Sequence, residues 1–320
     1  MARIASILAV AAFCLYTTPP PNPRVLAALD ALSSRHSHQV RGDTDGSFYC
    51  PMEPDVRSNQ PGRCPRCGMR LVEGVPDILE YPVDLSLDPV VPHPNELTRL
   101  TFGLIDPRTE RPVRNLEIVH QKLYHVFVVS QDLSFFLHTH PERQGDGDFH
   151  LDVRLPKPGL YRVLSDFYPS GATPQLITNT LIVPGSETAM DGARIHADLS
   201  PRTAENARVD LTLSPSHVVA RQDVSMVFRV SPEQGVEPYL GAWGHMLAAS
   251  ADLVDMTHNH PIATTDSSGG AEKDIQFKMA FPRAGVYRVW VQFQRLGVVN
   301  TVAFNVPVEE ALHLAPRSGS

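Results

Sequence analysis

The chain has 320 residues, a formal net charge of −7 and a hydrophobic content of 42%. This length exceeds one average domain, so we expect two compact domains with smaller attachments. The negative charge and the lack of a basic cluster argue against nucleic acid as a partner. With 29 prolines and only 7% aromatic residues, the composition favours a β-rich protein with many loops.

Residues 1–20 predict a signal for export. One basic residue precedes roughly a dozen apolar residues, which is the length of a secretory hydrophobic region and short for a membrane span. No clear cleavage site follows, and Phe13 before Cys14 does not fit a lipoprotein signal. We therefore expect a periplasmic or extracellular protein, anchored in the membrane only if this segment is retained. Residues 21–46 begin with a proline-rich run and predict a linker.

Residues 47–74, which we call the cysteine knuckle, contain three cysteines with the spacing of a small metal site. Cys64 and Cys67 are two residues apart, so a tight turn can aim both sulfurs at one point, and a Pro-Gly turn can fold Cys50 back toward them. We expect bonds to an ion to replace a core that is too small to exist. A purely structural zinc ion and a disulfide between Cys64 and Cys67 are the alternatives.

The cysteine knuckle resembles the heavy-metal-binding module attached to copper-transporting ATPases and to periplasmic adaptors of heavy-metal efflux systems. The residues that carry the resemblance are Cys50-Pro51-Met52, Pro61-Gly62, Cys64-Pro65, Cys67-Gly68-Met69 and Leu71-Val72. The chain departs from the family at Glu53, where the family has histidine. The resemblance implies a soft metal ion, copper or zinc, and a metal efflux component as a partner. The implied metal-site residues are Cys50, Cys64, Cys67, Met52 and Met69.

From residue 80 onward the sequence repeats itself. Similar segments recur at an offset of 126 residues, and matching histidines recur at an offset of 120. The repeat predicts two homologous domains, residues 80–186 and 196–308, followed by a tail over residues 309–320. The matching segments are 83–89 with 209–215, 100–102 with 226–228, and 159–163 with 285–289.

Within each repeat, apolar and polar residues alternate, as in Val83, Leu85 and Leu87. This period of two is typical of strands with one buried face. Short strands punctuated by proline and glycine predict a β-sandwich of the immunoglobulin or cupredoxin type. The predicted fold class is therefore mainly β, with two tandem sandwich domains preceded by the cysteine knuckle.

The first repeat places three histidines around a predicted hairpin. With a two-residue turn at Gln131 and Asp132, His125 pairs directly with His138, and His140 projects from the same face because side chains alternate along a strand. The alternative is that these histidines only pack or bond to the backbone. A bulge in the turn would also move His125 off the face.

The second repeat follows the same pattern with a turn at Ala251 and Asp252. Three imidazoles suit Zn(II), Cu(II) or Ni(II), and an added thioether favours Cu(I). The candidate ligands of this repeat are His245, His258, His260 and Met256. The remaining histidines have no repeat counterpart and are predicted to lie on the surface or in loops: His93, His120, His150, His196, His217 and His313.

The endings His138-Thr-His-Pro141 and His258-Asn-His-Pro261 resemble those of exported bacterial proteins of unassigned chemistry that carry the same cysteine module. Neither repeat contains a cysteine, which argues against a blue-copper site. Asp166 is replaced by Gln292 at the matching position, so we predict a surface charge there and no shared catalytic carboxylate.

The leading hypothesis is an exported, non-enzymatic protein that binds a heavy metal, with copper as the expected ion, for sequestration or for hand-off to an efflux system. Two alternatives stay open. One is an interaction scaffold of two immunoglobulin-like domains with a structural zinc knuckle. The other is a metalloenzyme that uses three histidines and an open metal position.

Overall fold

The computed structural model describes residues 48–50, 56–65, 69–74, 79–145, 147–185, 193–266 and 272–311. The predicted export signal and linker, together with Met52, Cys67 and His313, lie outside these ranges. Within them, no helix has the length and apolar character needed to cross a membrane.

The cysteine knuckle forms a small antiparallel sheet with the strand order β2-β1-β3. Its strands are β1 (Phe48–Tyr49), β2 (Arg57–Ser58) and β3 (Val72–Glu73). The amide of Cys64 donates to the carbonyl of Met69 at 2.7 Å, and the amide of Leu71 donates to that of Gly62 at 2.9 Å. These bonds pair the stretch that ends at Cys64 with the stretch that begins at Met69. The buried residues of this unit are few: Cys50, Cys64 and Leu71 form its small core.

The first sandwich contains two antiparallel sheets. One has the order β4-β5-β10-β9, with β6 paired to β5, and the other has the order β12-β11-β7-β8. The strands are β4 (Val83–Asp88), β5 (Leu97–Asp106), β6 (Arg111–Pro112), β7 (Tyr124–Ser130), β8 (Phe136–Thr139), β9 (Glu142–Arg143), β10 (Phe149–Arg154), β11 (Gly159–Phe167) and β12 (Gln175–Val183).

The second sandwich repeats this plan. Its sheets have the orders β13-β14-β15-β20-β19 and β16-β21-β17-β18, with β22 paired to β21. The strands are β13 (Arg202–Thr203), β14 (Arg208–Ser214), β15 (Asp223–Ser231), β16 (Val236–Glu237), β17 (His245–Ser250), β18 (Met256–Asn259), β19 (Ala263–Asp266), β20 (Lys273–Ala280), β21 (Gly285–Arg295) and β22 (Val298–Val308). The predicted fold class, mainly β with two tandem sandwiches, is confirmed.

The two sandwiches pack against each other through one sheet of each. Every residue of β7 and of β17 is buried, because one face of each strand covers its own core and the other face meets the neighbouring sandwich. Alternate residues of β7, Phe127 and Val129, join Leu247 of β17 and Trp290 of β21 in an apolar group that we call the interface cluster. Phe136 stacks on Trp290 at a centroid distance of 4.9 Å.

The predicted hairpin register is wrong by two residues. His138 pairs with Phe127, so the connection between β7 and β8 has five residues and not two. The carboxylate of Asp132 causes this, since it accepts bonds from the Ser130 hydroxyl at 2.6 Å and the Ser134 amide at 3.2 Å and holds a wider loop. A shift of two keeps the face of a strand, whereas a shift of one reverses it. His125 and His138 therefore still share one face.

The second repeat has the same correction. His258 pairs with Leu247 and not with His245. The Ser250 hydroxyl donates to Asp252 at 2.5 Å, which reproduces the capped loop of the first repeat. The duplication therefore extends to individual hydrogen bonds.

Candidate metal centre between the two sandwiches

Six histidines from the two sandwiches converge at the end of the interface where β7 and β17 begin. Each sandwich contributes one group in which a ring nitrogen from each residue lies within 4.8 Å of the others. The first triad consists of His125, His138 and His140, and the second triad consists of His245, His258 and His260. All six predicted histidines are thus brought together, although the sequence predicted two separate sites.

The spacing of the first triad fits coordination of an ion. His125 Nδ1 lies 3.4 Å from His138 Nε2, which in turn lies 3.2 Å from His140 Nε2. Two nitrogens bound to a tetrahedral ion through bonds of about 2.0–2.1 Å are about 3.3–3.4 Å apart. The two observed distances are within about 0.2 Å of this ligand–ligand separation.

Outer partners fix which nitrogen of each ring carries the proton in the first triad. His125 Nε2 donates to the Val119 carbonyl at 3.0 Å, and His138 Nδ1 donates to Gln292 Oε1 at 2.7 Å. Exchanging the oxygen and nitrogen of the Gln292 side-chain amide would break a second hydrogen bond, because its Nε2 donates to the Thr301 hydroxyl at 2.9 Å. The lone pairs of His125 Nδ1 and His138 Nε2 are therefore directed inward, and outer hydrogen bonds of this kind orient metal-binding histidines.

The second triad has the same arrangement. His245 Nε2 donates to the Tyr239 carbonyl at 3.1 Å, and His258 Nδ1 donates to Asp166 Oδ2 at 2.5 Å. The opposite nitrogens, His245 Nδ1 and His258 Nε2, and also His260 Nε2, are buried without a hydrogen-bond partner in the described structure. Buried polar atoms normally have partners, so three orphaned nitrogens in one group call for a ligand.

Each sandwich orients a histidine of the other. Gln292 of the second sandwich holds His138 of the first, while Asp166 of the first sandwich holds His258 of the second. The prediction that Asp166 is a surface charge is wrong, because β11 turns this face toward the second sandwich and leaves the side chain only 14% exposed. Burial alone would raise the pKa of Asp166, but the hydrogen bond from His258 and nearby imidazoles lower it below its usual value.

The two triads are nearly as close to each other as their own members are. Ring centroids of His125 and His138 lie 5.5–6.1 Å from those of His245 and His258. Within the triads, the centroid distances are 4.4–5.7 Å. The six rings therefore form one group that spans the interface.

Burial keeps five of the six imidazoles neutral. It lowers the pKa of His140 to about 3, with the charges of neighbouring histidines adding to the effect. A neutral imidazole retains the lone pair that a metal ion needs. Burial lowers the pKa of four further members in the same way: His125, His138, His245 and His260.

Four of the other predicted ligands are described by the structure, and none of them is a member of either triad. Cys50 and Cys64 are buried together in the core of the cysteine knuckle. Met69 is buried as well, but it packs against Val119 and Tyr168 of the first sandwich. Met256 is half-buried in the interface cluster.

His120 is the histidine that sequence reasoning missed. It was predicted to lie on the surface or in a loop because it has no repeat counterpart, yet it is only 9% exposed. Its ring centroid lies 3.7 Å from that of His260 and 5.4 Å from that of His245. Burial, followed by the charges of His258 and His125, lowers its pKa to about 3. The signal was its position in a turn directly before the first triad.

The fold and this site define a tandem β-sandwich protein with a candidate metal centre. The chain belongs to the family described as Domain of unknown function (DUF8832), whose model matches it twice, over residues 77–183 and 202–310. Residues 48–73 match the model of the Heavy metal binding domain. A heavy metal ion is therefore a supported partner of the chain. No curated protein matches it.

Several solved structures resemble the fold at low identity. The Escherichia coli adhesin FdeC aligns over 75% of this chain and 69% of its own, with 13% identity and a TM-score of 0.24. The transglutaminase of red sea bream aligns over 73% of this chain and 32% of its own, with 9% identity and a TM-score of 0.23. The titin fragment A168169 aligns over 72% and 98%, with 11% identity and a TM-score of 0.20. Nothing about function follows from similarity at this level.

Proposed function

We propose that the chain binds heavy-metal ions, with one ion in each histidine triad and a further ion in the cysteine knuckle. The observation that carries this proposal is a set of six imidazole rings that each direct one nitrogen inward. In four of the six rings, the other nitrogen is already hydrogen-bonded to the protein. A ring that only packed in a core would need no such orientation, and three of the inward nitrogens have no partner.

Copper is the ion that we propose. Imidazoles suit both copper and zinc, whereas thiolates favour Cu(I) and zinc, so copper can use both kinds of site in its two oxidation states. The sequence of the amino terminus supports export, and the resemblance of the cysteine knuckle to modules of heavy-metal efflux systems supports delivery of metal to such a system. We therefore propose sequestration of copper outside the cytoplasm, or its hand-off to an efflux component, without catalysis.

Metal titration of the full chain tests this function. Cu(I) under anaerobic conditions and Zn(II) are titrated in competition with chromophoric chelators, and bound metal is counted by elemental analysis. We expect His138→Ala combined with His140→Ala to remove one ion, and His258→Ala combined with His260→Ala to remove another. Unchanged stoichiometry in both variants would refute metal binding by the triads.

Matched controls separate the sites. Replacement of exposed histidines, His93→Ala and His217→Ala, should leave the stoichiometry unchanged, since neither belongs to the centre. Cys64→Ser should remove only the ion of the cysteine knuckle. Zinc bound tightly by the knuckle alone, with no preference for copper, would favour the scaffold hypothesis instead.

A metalloenzyme is the second candidate, and one observation favours it. His260 of the second triad lines a pocket of about 430 Å³, which gives outside molecules a route to that edge of the centre. An enzyme needs an exchangeable position on its ion. Azide added to the Co(II)-loaded chain should leave the visible spectrum unchanged if the centre only binds metal, and a shift would favour the enzyme.

A further inference from the structure

The cysteine knuckle docks beside the metal centre. Met69 and Val72 of the knuckle pack against Val119 and Tyr168 of the first sandwich. Met69 is only 4% exposed. Val119 is also the residue whose carbonyl orients His125, so the contact surface of the knuckle continues directly into the first triad.

Val119 begins a tight turn that carries His120. The amides of Val119 and Lys122 each donate to the other's carbonyl at 2.9 Å. His120 has a φ of 46° and Gln121 has a φ of 65°. Residues other than glycine rarely adopt this left-handed conformation, so these two φ values define a two-residue turn of the kind that closes tight hairpins.

The same turn in the second sandwich lacks the histidine. Tyr239 and Ala242 exchange the equivalent hydrogen bonds, and Leu240, with a φ of 52°, occupies the position that matches His120. The structure is therefore asymmetric at this point. The additional imidazole is present only in the turn that the cysteine knuckle contacts.

A pocket joins the knuckle to the second triad. Its volume is about 430 Å³, and Pro65, the residue after Cys64, lines it together with His120, His260 and Trp243. His120 Nε2 and His260 Nε2 are both buried without a hydrogen-bond partner in the described ranges. Two unpartnered ring nitrogens on adjacent rings thus lie beside the pocket that Pro65 lines.

We propose that this pocket, which we call the transfer port, passes metal ions from the cysteine knuckle to the second triad through His120. This inference rests on the proposed function, since it requires that the triads bind metal. The step is an exchange of ligands without oxidation or reduction. A bond from the ion to a cysteine sulfur breaks, a bond to the lone pair of His120 and then of His260 forms, and the released thiolate takes a proton from the solvent.

Transfer can be followed with Co(II) as the probe, because thiolate ligands give an intense charge-transfer absorption that imidazole ligands lack. The full chain is mixed anaerobically with less than one equivalent of Co(II) in a stopped-flow instrument. We expect the thiolate absorption to appear first and then to decay as the imidazole-bound spectrum grows. The rate of this second phase should be independent of protein concentration, because the transfer is intramolecular.

His120→Asn tests the role of the imidazole. Asparagine accepts the left-handed conformation of the turn but is a weak ligand, so we expect the first phase to be unchanged and the second to slow at least tenfold. His120→Leu, which copies Leu240 of the second sandwich, should behave in the same way. The final number of bound ions should equal that of the wild type, because His120 belongs to neither triad. Lys122→Ala in the same turn is the matched control and should transfer at the wild-type rate.

The outcomes separate this inference from the proposed function. The transfer port would be overturned if the second phase kept its rate in both His120 variants, or if its rate depended on protein concentration. It would also be overturned if no second phase occurred in the wild type although the triads bind Co(II) in Cys64→Ser. Failure of Cys64→Ser to bind any Co(II) at its histidines would overturn the proposed function itself.

Discussion

Replacement of Asp166 should weaken metal binding by the other sandwich. The carboxylate of Asp166 accepts a hydrogen bond from His258 Nδ1 at 2.5 Å and so directs His258 Nε2 into the second triad. In Asp166→Leu this acceptor is lost, and the ring can turn or exchange its protonated nitrogen. Asp166 belongs to the first sandwich, but its hydrogen bond is to His258 of the second sandwich. The change should therefore weaken the second triad and leave the first intact.

The magnitude follows from the kind of contact. Loss of an outer hydrogen-bond partner typically costs 10–100-fold in metal affinity, or about 1.4–2.8 kcal/mol. The value should lie at the upper end, since the contact is charged and the side chain is only 14% exposed. Asp166→Asn keeps an acceptor and loses the charge, so it should fall between wild type and Asp166→Leu.

The assay is a zinc competition titration with a chromophoric chelator, made in a His140→Ala background that disables the first triad. The reciprocal variant Gln292→Leu, in a His260→Ala background, should weaken the first triad by removing the acceptor of His138. Equal affinities of Asp166→Leu and its parent would refute the reasoning. A loss of zinc affinity caused by Asp166→Leu in the His260→Ala background, where the first triad is the intact one, would refute it as well.

Two further predictions concern the metal-free chain. In the folded chain, burial lowers the pKa of His120 and His140 to about 3. Below pH 6.5 these two histidines therefore bind protons in the unfolded chain but not in the folded chain. The free energy of unfolding should fall as the pH is lowered from 6.5 to 3, by at most about 2 kcal/mol per histidine at pH 5. Chemical denaturation should show a flatter pH profile in His120→Asn with His140→Asn, and an unchanged profile would contradict the burial argument. Trp290→Ala removes the ring stacked on Phe136 and should cost about 3–5 kcal/mol in denaturant unfolding. Trp290→Ala should also lower the metal affinity of both triads. The control Val254→Ala, at an exposed residue, should change the free energy of unfolding by no more than about 0.5 kcal/mol. Equal stabilities of Trp290→Ala and wild type would contradict an interface held by Trp290.

Local sequence was sufficient for the strands and for the duplication. The alternation of Val83, Leu85 and Leu87 reflects the two faces of a strand, and that alternation is a property of the chain itself. The shared face of His125 and His138 was predicted correctly even though the register was not. A register error of two residues is invisible to a period of two, which is why the loop around Asp132 went unpredicted.

The role of a single residue depended on what packs over it. Asp166 and Gln292 differ in charge, so at matching positions they looked unrelated. In the structure they have the same role, because each accepts a hydrogen bond from a histidine of the opposite sandwich. His120 has no counterpart in the second repeat, so the repeat pattern predicts no role for it, whereas the structure places its ring beside that of His260.

The sequence by itself determined the two sandwiches, the cysteine knuckle and the six histidines with their matching positions. It could do so because strand periodicity and ligand spacing are encoded within short stretches of chain. Only the tertiary structure decided that the two sets of histidines meet in one centre and that each is oriented from across the interface. Those contacts join residues 92 and 154 positions apart, and nothing in a local pattern fixes which faces of two separate domains will pack together.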